Sequence, residues 1–111
     1  MKDEIKRFLF DIKEAVDSIF VYLGDKRDFI VYNENKMMRR AVEREFEIIG
    51  EAMSCILRIV SSFPIKNARR IIDLRNLVIN GYDKVDNAII WGIIIRDLPE
   101  LKTEISELMK L

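Results

Sequence analysis

ENKMMRRAVEREFEIIGEAMSCILRIVS, residues 34–61, is a long stretch in which apolar side chains recur every three or four positions. This spacing aligns them on one face of an α-helix, so the stretch predicts a helix of about seven turns. Asn33 is its predicted N-cap, and Phe63-Pro64 interrupts the pattern. The predicted inward positions are Met38, Ala41, Val42, Ile49, Ala52, Met53, Ile56 and Val60.

The chain before this helix shows the same periodicity. Its apolar stripe consists of Ile5, Phe8, Leu9, Ile12, Val16, Ile19, Phe20 and Leu23. Gly24 follows directly and is the expected left-handed C-cap. Residues 25–32 then predict a connector with one helical turn.

The chain after it predicts a third and a fourth helix. The third, over residues 66–80, buries Ile71, Ile72, Leu74 and Val78, and Gly81 is its predicted end. After a loop at residues 82–85, Asp86 is the predicted N-cap of the fourth helix, with Val85 and Ile90 as a hydrophobic staple.

Pro99 shapes the C-terminal segment because proline cannot donate to the helical hydrogen-bond ladder. Residues 87–111 should therefore kink or restart near Asp97, with Glu100 as the capping partner. No segment alternates apolar and polar residues for long enough to predict a strand. Together these patterns predict an all-α fold, an up-and-down bundle of four helices plus a kinked C-terminal helical segment.

The composition indicates one domain over residues 1–111, since half of the 111 residues are apolar. No apolar run reaches the roughly 18 positions of a membrane span, and the N-terminus lacks a signal peptide's apolar stretch. We therefore expect a cytoplasmic protein without membrane contact. The single cysteine, Cys55, lies in an apolar helical stretch and predicts a small buried side chain more than a reactive thiol.

The charges limit the kinds of site that the chain can hold. Nineteen basic and 19 acidic residues cancel, so no global field attracts nucleic acid and any RNA contact must be local. Histidine is absent, and no carboxylate spacing suggests a zinc site. We therefore expect neither a metal nor a cofactor.

Residues 74–91, LRNLVINGYDKVDNAIIW, set polar residues at a helix end between apolar flanks. The segment resembles the HEPN superfamily, and within it the HepT-like proteins, whose signature is Arg, four residues, His, one residue and Tyr, followed by Val-Asp and a later Trp. The matching residues are Arg75, Asn76, Gly81, Tyr82, Val85, Asp86 and Trp91. Residues 47–52 (EIIGEA) resemble the family's second-helix motif and residues 97–101 (DLPEL) its tail, so the resemblance covers essentially the whole chain.

Asn80 stands where the family has its histidine. The resemblance implies a metal-independent ribonuclease toxin that is paired with a minimal nucleotidyltransferase antitoxin. That partner attaches AMP to the motif's tyrosine, which is Tyr82 in this chain. The resemblance also implies a homodimer.

The chemistry of such a site depends on which groups move protons. RNA cleavage through the neighbouring 2′-hydroxyl needs a base, an acid and positive charge near the phosphate. Arg75 supplies only the charge, because its guanidinium stays protonated, and Asn80 does not titrate. The Tyr82 hydroxyl, protonated at neutral pH, is a poor base. Losing an acid or base costs about a hundredfold to ten-thousandfold in rate, so we expect a weak nuclease or none unless another group substitutes.

The spacing of Arg75 and Asn80 adds a geometric condition. Residues five apart on an α-helix point about 140° away from each other. The two side chains converge only if the helix unwinds at Gly81 or if two chains pool their copies across a twofold interface. This second arrangement predicts a homodimer.

Several of these residues also have purely structural interpretations. Arg75 can cap the third helix or pair with an acidic neighbour. Glu47 and Glu51 lie one turn apart and either share Arg75 as a cationic partner or form a solvated acidic face. Asn80 beside Gly81 suits a helix-terminating pair more than a substrate contact.

The same holds for the residues around this segment. Tyr82 is either the AMP acceptor or an ordinary surface aromatic residue, and Trp91 is most simply part of the core. For the basic cluster of Lys66, Arg69 and Arg70 we favour a solvated face over a guide for RNA.

The sequence thus supports two hypotheses from different functional classes. The first is a HepT-like toxin that acts on RNA, with an activity that Asn80 impairs or alters. Its candidate residues are Arg75 and Asn80 for catalysis, Tyr82 for modification, and Asn76, Glu47 and Glu51 in support. The alternative, favoured by Asn80, is a non-catalytic helical interaction module that docks a nucleotidyltransferase.

Overall fold

The computed structural model describes residues 2–79 and 86–110 and confirms the predicted all-α bundle. These two ranges contain helices and turns and no strand. The elements in chain order are α1 (Asp3–Leu23), α2 (Phe29–Glu34), α3 (Lys36–Ile59), α4 (Ala68–Ile79), α5 (Asn87–Gly92), a π-helical turn (Ile93–Asp97) and α6 (Leu98–Met109).

The helix α3 is the centre of the bundle. It packs against α1 on one side and α4 on the other, while α6 packs against α1 and α2 touches α5. The buried apolar residues of α1, α3, α4, the π turn and α6 form one cluster. Most of the predicted inward positions lie in it, and it also contains Phe46, which is not among the inward positions named for the long helix. Within the described ranges, no helix is both long and apolar enough to cross a membrane.

The first helix ends where the sequence predicts. Gly24 has a φ of 72°, and its backbone N–H donates to the carbonyl oxygen of Phe20 over 3.1 Å. A positive φ costs glycine less energy than any other residue, because glycine has no Cβ atom to clash with the backbone. Gly24 is therefore confirmed as the C-cap with a positive φ, while its ψ of −169° differs from that of the left-handed helical conformation.

The predicted N-cap of the long helix is wrong. Asn33 lies inside α2, whose own cap is Asp28, and Asn35 caps α3 instead, its Oδ1 accepting from the N–H of Met38 over 3.0 Å. The predicted one-turn connector is thus a capped six-residue helix that reaches two residues further along the chain. At its other end α3 stops at Ile59, because Val60 is already extended, with a φ of −133°.

The helix α4 begins at Ala68, two residues later than predicted, behind Asn67 in the left-handed conformation with a φ of 64°. Its predicted end at Gly81, the loop at residues 82–85 and the staple residue Val85 lie outside the described residues. Asp86 is confirmed as the N-cap of α5, since its Oδ1 accepts from the N–H of Ala88 over 2.9 Å.

The predicted restart near Asp97 is confirmed, because α6 begins at Leu98, but the helical backbone continues across the junction without a break. The chain remains helical through a π turn, Ile93–Asp97, and Pro99 lies in the first turn of α6, where a missing N–H costs least. Asp97 makes no capping hydrogen bond; it is buried and lies 3.3 Å from Nη2 of Arg70 on α4. Glu100 likewise pairs with Lys66, over 3.3 Å, and does not cap the helix.

Candidate functional site

The stem of Arg75 lies directly on the backbone of α3. Gly50 is buried at this crossing, and a Cβ atom at position 50 would overlap the Cβ and Cγ atoms of Arg75. Only a residue without a side chain fits at this distance between the two helices. Gly50 therefore sets the position from which the Arg75 side chain leaves α4.

The guanidinium of Arg75 is held by two acceptors. Its Nη2 donates to Oε2 of Glu51 over 2.8 Å, and its Nη1 donates to Oδ1 of Asn76 over 3.1 Å. The pair with Glu51 is charge-assisted and bridges α4 and α3. Arg75 remains 26% exposed, and each Nη nitrogen carries a second N–H that these two bonds do not use. The group can therefore still bind an anion.

Glu51 is shared between two cations, whereas Glu47 has a different partner. Nη2 of Arg58 lies 3.7 Å from Oε1 of Glu51, so Glu51 lies between Arg58 and Arg75. Glu47 pairs with Arg44, over 3.1 Å. Of the two carboxylates that the sequence offered as partners of Arg75, only Glu51 takes that position.

Cys55 is more accessible than the sequence predicts. Its side chain is partly exposed, and its Sγ lies 3.8 Å from both Oε1 of Glu51 and Nη2 of Arg58. The expectation of a buried cysteine is wrong, because one turn of α3 places Cys55 on the polar face next to Glu51 and away from the core.

The residues around Arg75 line an open groove of about 420 Å³ that runs along α3. Its lining consists of Phe8 and Asp11 from α1, Arg44, Glu47, Ile48, Glu51 and Ala52 from α3, and Arg75 from α4. The sequence analysis singled out neither Asp11 nor Arg44 and assigned Phe8 to the core. A signal was present, since Asp11 follows Phe8 at the three-residue spacing that puts both on one helix face.

Two of the predicted site residues, Asn80 and Tyr82, lie outside the described residues. The other two tyrosines of the chain are described. The Tyr22 hydroxyl is at the surface and donates to Oε2 of Glu45 over 2.9 Å, a bond that raises the pKa of Tyr22 above its ordinary value. Tyr32 is fully buried, and this burial raises its pKa well above the ordinary value.

The remaining sequence candidates have structural partners. Trp91 is partly buried and packs against the core, with ring centroids 6.0 Å from Phe29 and 5.4 Å from Tyr32. In the basic cluster, Lys66 and Arg70 pair with acidic residues of the C-terminal segment, and Arg69 is exposed. In the part of the chain that is described, no three His, Cys, Asp or Glu side chains are placed to share a metal ion.

Comparison with known proteins gives a consistent family. The family model described as "Ribonuclease HepT-like" matches residues 5–108. The chain is 37% identical to "Putative RNase MJ1380" of Methanocaldococcus jannaschii over 94% of this chain and 95% of that protein. It is 32% identical to "Probable ribonuclease HepT" of Thermococcus cleftensis over 99% of this chain and all of that protein. No solved structure gives a significant match. Because the family model and these relatives span nearly the whole sequence, the chain belongs to the HepT-like ribonuclease family.

Proposed function

We propose that this chain is the toxin component of a toxin–antitoxin module and that it acts on RNA through Arg75. The observation that carries the proposal is the state of the Arg75 guanidinium in a chain of the HepT-like ribonuclease family. Glu51 and Asn76 hold it at an open groove, and each of its Nη nitrogens keeps an unused N–H. A planar fork of donors in this state suits the oxygens of a phosphate.

The position of Glu51 allows Arg75 to bind a phosphate at low electrostatic cost. When a phosphate draws the guanidinium toward itself, Glu51 still has Arg58 as a cationic neighbour, 3.7 Å away. Arg75 then stabilises negative charge on the phosphate, and it moves no proton. Asn80 occupies the position of the family's histidine and does not titrate, so the proposed cleavage is slow.

We also propose a homodimer that acts in the cytoplasm, where RNA is available to it. Arg75 and Asn80 are five residues apart and diverge on a regular helix, whereas two chains related by a twofold axis can pool the two residues. Sedimentation of the purified chain measures the oligomeric state directly, and a monomer at every concentration contradicts the proposed dimer.

We further propose that RNA binding is regulated by modification of Tyr82, in the segment that follows Arg75. A partner nucleotidyltransferase that transfers AMP to Tyr82 adds a phosphate to a residue seven positions after Arg75. The added negative charge competes with RNA phosphate for the guanidinium and repels the RNA backbone. Modified protein is therefore expected to bind RNA more weakly than unmodified protein.

Metal-free cleavage of RNA by the purified chain tests the nuclease activity. Slow turnover that disappears in Arg75→Gln and rises in Asn80→His supports the proposal. Arg40→Gln is the matched control, because Arg40 is an exposed, ion-paired arginine of α3 that does not line the groove. Equal turnover in Arg75→Gln and in the unsubstituted chain contradicts a role for Arg75.

Intact mass after incubation with the partner nucleotidyltransferase and ATP tests the modification. A gain of one or more AMP units that is lost in Tyr82→Phe supports Tyr82 as the acceptor. Tyr22→Phe is the matched control, since Tyr22 is the exposed tyrosine of α1. An unchanged mass gain in Tyr82→Phe contradicts the assignment.

Asn80 favours a second candidate, a non-catalytic module that docks the nucleotidyltransferase. This candidate predicts no turnover in either the unsubstituted chain or Asn80→His, together with a stable complex between the two proteins. Co-purification of the pair and the cleavage assay above distinguish the two candidates.

A further inference from the structure

The groove beside Arg75 is lined by acidic and apolar residues as well as by arginines, whereas a site that binds only the RNA backbone would be mainly basic. Its charged lining comprises two cations, Arg44 and Arg75, and three carboxylates, Asp11, Glu47 and Glu51. The lining therefore carries one more negative than positive charge. Its remaining residues, Phe8, Ile48 and Ala52, are apolar.

The three carboxylates are in different states. Glu47 pairs with Arg44 over 3.1 Å and Glu51 with Arg75 over 2.8 Å. Asp11 is exposed, and within the described residues it has neither an ion-pair nor a hydrogen-bond partner among the side chains. A carboxylate in this state repels phosphate and accepts hydrogen bonds from N–H groups.

The aromatic residue of the groove lies on the same wall as Asp11, whereas the other two apolar residues, Ile48 and Ala52, belong to α3. Phe8 precedes Asp11 by one turn of α1 and contributes an aromatic side chain to the lining. Nucleobases of single-stranded RNA stack on aromatic rings and present their amino groups at their edges, while the bases of a duplex are not accessible in this way. A volume of about 420 Å³ is within the range of small-ligand sites.

We infer that this groove binds one unpaired nucleotide of single-stranded RNA whose base carries an exocyclic amino group, guanine above all. The inference rests on the proposed action on RNA and names the substrate class of that site. Arg75 binds the phosphate, Phe8 contacts the face of the base, and Asp11 accepts hydrogen bonds from its amino edge. Guanine fits best because N1–H and the exocyclic amino group on its Watson–Crick edge are two adjacent donors for one carboxylate, and uracil fits least because it has no amino group.

Binding of short 2′-O-methyl oligonucleotides, which block cleavage, tests the inference by fluorescence anisotropy. The probes are an oligouridine, the same oligomer with one central guanosine, and the same oligomer with inosine, which lacks the amino group, in its place. The guanosine oligomer should bind about tenfold more tightly than the other two, the scale of one well-placed pair of base contacts. Equal affinity for the three oligomers would overturn the inference.

Substitutions separate the roles of the two α1 residues. Asp11→Asn should abolish the preference for guanosine while leaving or raising the affinity for oligouridine, since it removes a negative charge from the groove. Phe8→Leu should lower the affinity for all three oligomers about tenfold and leave the order of the affinities unchanged. Glu14→Gln and Phe10→Leu are the matched controls, because both residues are exposed on α1 and do not line the groove. Thermal unfolding checks that Phe8→Leu remains folded.

The outcomes distinguish this inference from the proposed function. Binding of RNA that depends on Arg75 but is indifferent to Asp11 and to the base retains the proposed function and overturns the inference. A guanosine preference that depends on Asp11, in a protein that never cleaves RNA, supports the inference and leaves the nuclease activity contradicted.

Discussion

Gly50 and Arg75 are in contact where α3 and α4 cross, so the packing of the bundle and the position of the guanidinium depend on the same pair of residues. A methyl group at position 50 meets the first two carbons of the Arg75 side chain, and the first of them, Cβ, is fixed by the backbone of α4. The helices have to move apart to admit it, because packed interiors have little free space.

We predict that Gly50→Ala lowers the free energy of unfolding by about 1–2 kcal/mol. Overpacking costs about 1–3 kcal/mol, and the better helix propensity of alanine offsets about 0.5–1 kcal/mol of it. Gly92→Ala is the matched control, since nothing lies within 4 Å of a Cβ atom at position 92, and it should stabilise the protein. Urea unfolding measures both variants, and a stabilised Gly50→Ala contradicts the close crossing.

Tyr32 gives a second prediction at the scale of one residue. Its hydroxyl is buried without a hydrogen-bond partner, and burial together with the charge of Glu43 raises its pKa. The unfolded chain therefore releases this proton at lower pH than the folded chain, and stability falls as the pH rises above about 10, the ordinary tyrosine value. Tyr32→Phe should be more stable by up to about 1 kcal/mol at neutral pH and should lose less stability between pH 10 and 11.

Chemical unfolding at pH 7, 10 and 11 measures this effect. Tyr22→Phe is the comparison at neutral pH, because the Tyr22 hydroxyl already donates to Glu45, so that its removal should not stabilise the protein. A Tyr32→Phe protein that is less stable at neutral pH would indicate that the hydroxyl has a partner.

At the scale of helices, the start of α5 is fixed by a single side chain. Asp86 accepts the N–H of Ala88 over 2.9 Å directly after the segment that carries Tyr82. We predict that Asp86→Ala lowers the free energy of unfolding by about 1 kcal/mol, whereas Asp86→Asn, which keeps the accepting oxygen, changes it by much less. Thermal unfolding of the two variants measures the difference, and equal losses contradict the capping role.

The helices differ in how well the sequence predicts them, and the difference has a local cause. Gly24 strongly favours a C-cap and Asp86 strongly favours an N-cap, so both helix ends are predicted correctly. Asn33 and Asn35 are both good caps, and the choice between them depends on Asp28, which starts α2 five residues earlier. The π turn has no comparable signal, because its residues, Ile-Ile-Ile-Arg-Asp, contain neither glycine nor proline and the backbone angles of the flanking Gly92 and Leu98 are ordinary helical ones.

The site shows the same limit. Arg75 and Glu51 are identified from the motifs, and their pairing is one of the arrangements that the sequence allows. The partner of Glu47 and the function of Gly50 depend on which helices lie side by side, information that residue spacing within one helix does not contain. The sequence analysis missed Asp11 and Phe8 as lining residues for the same reason, since α1 and α3 are adjacent only in the folded bundle.

At the scale of the whole molecule, the balance of charge determines how RNA binding responds to salt. Basic and acidic residues cancel over the chain, so long-range attraction of RNA is weak and the proposed phosphate contact at Arg75 determines the response to salt. The logarithm of the affinity for single-stranded RNA falls by about 0.7 per unit of log salt for each phosphate contact, so the one contact at Arg75 gives a slope of about −0.7.

We predict that Arg75→Gln reduces this slope by about 0.7 and that Arg40→Gln leaves it unchanged. Anisotropy titrations between low and physiological salt measure it with the uncleavable oligonucleotides. A slope several times steeper, or one insensitive to Arg75, would mean that RNA lies on another surface.

The π turn at Ile93–Asp97 accommodates one residue more than an ordinary helical turn would. Because the π turn absorbs that residue, deleting one of its isoleucines would restore α-helical winding and leave Leu101 and Ile105 facing the core. A deletion inside α6, which has no such turn, would instead rotate the residues beyond it by about 100° and carry Ile105 toward water. Natural variation in chain length is therefore expected to be tolerated better at the π turn than inside the last helix.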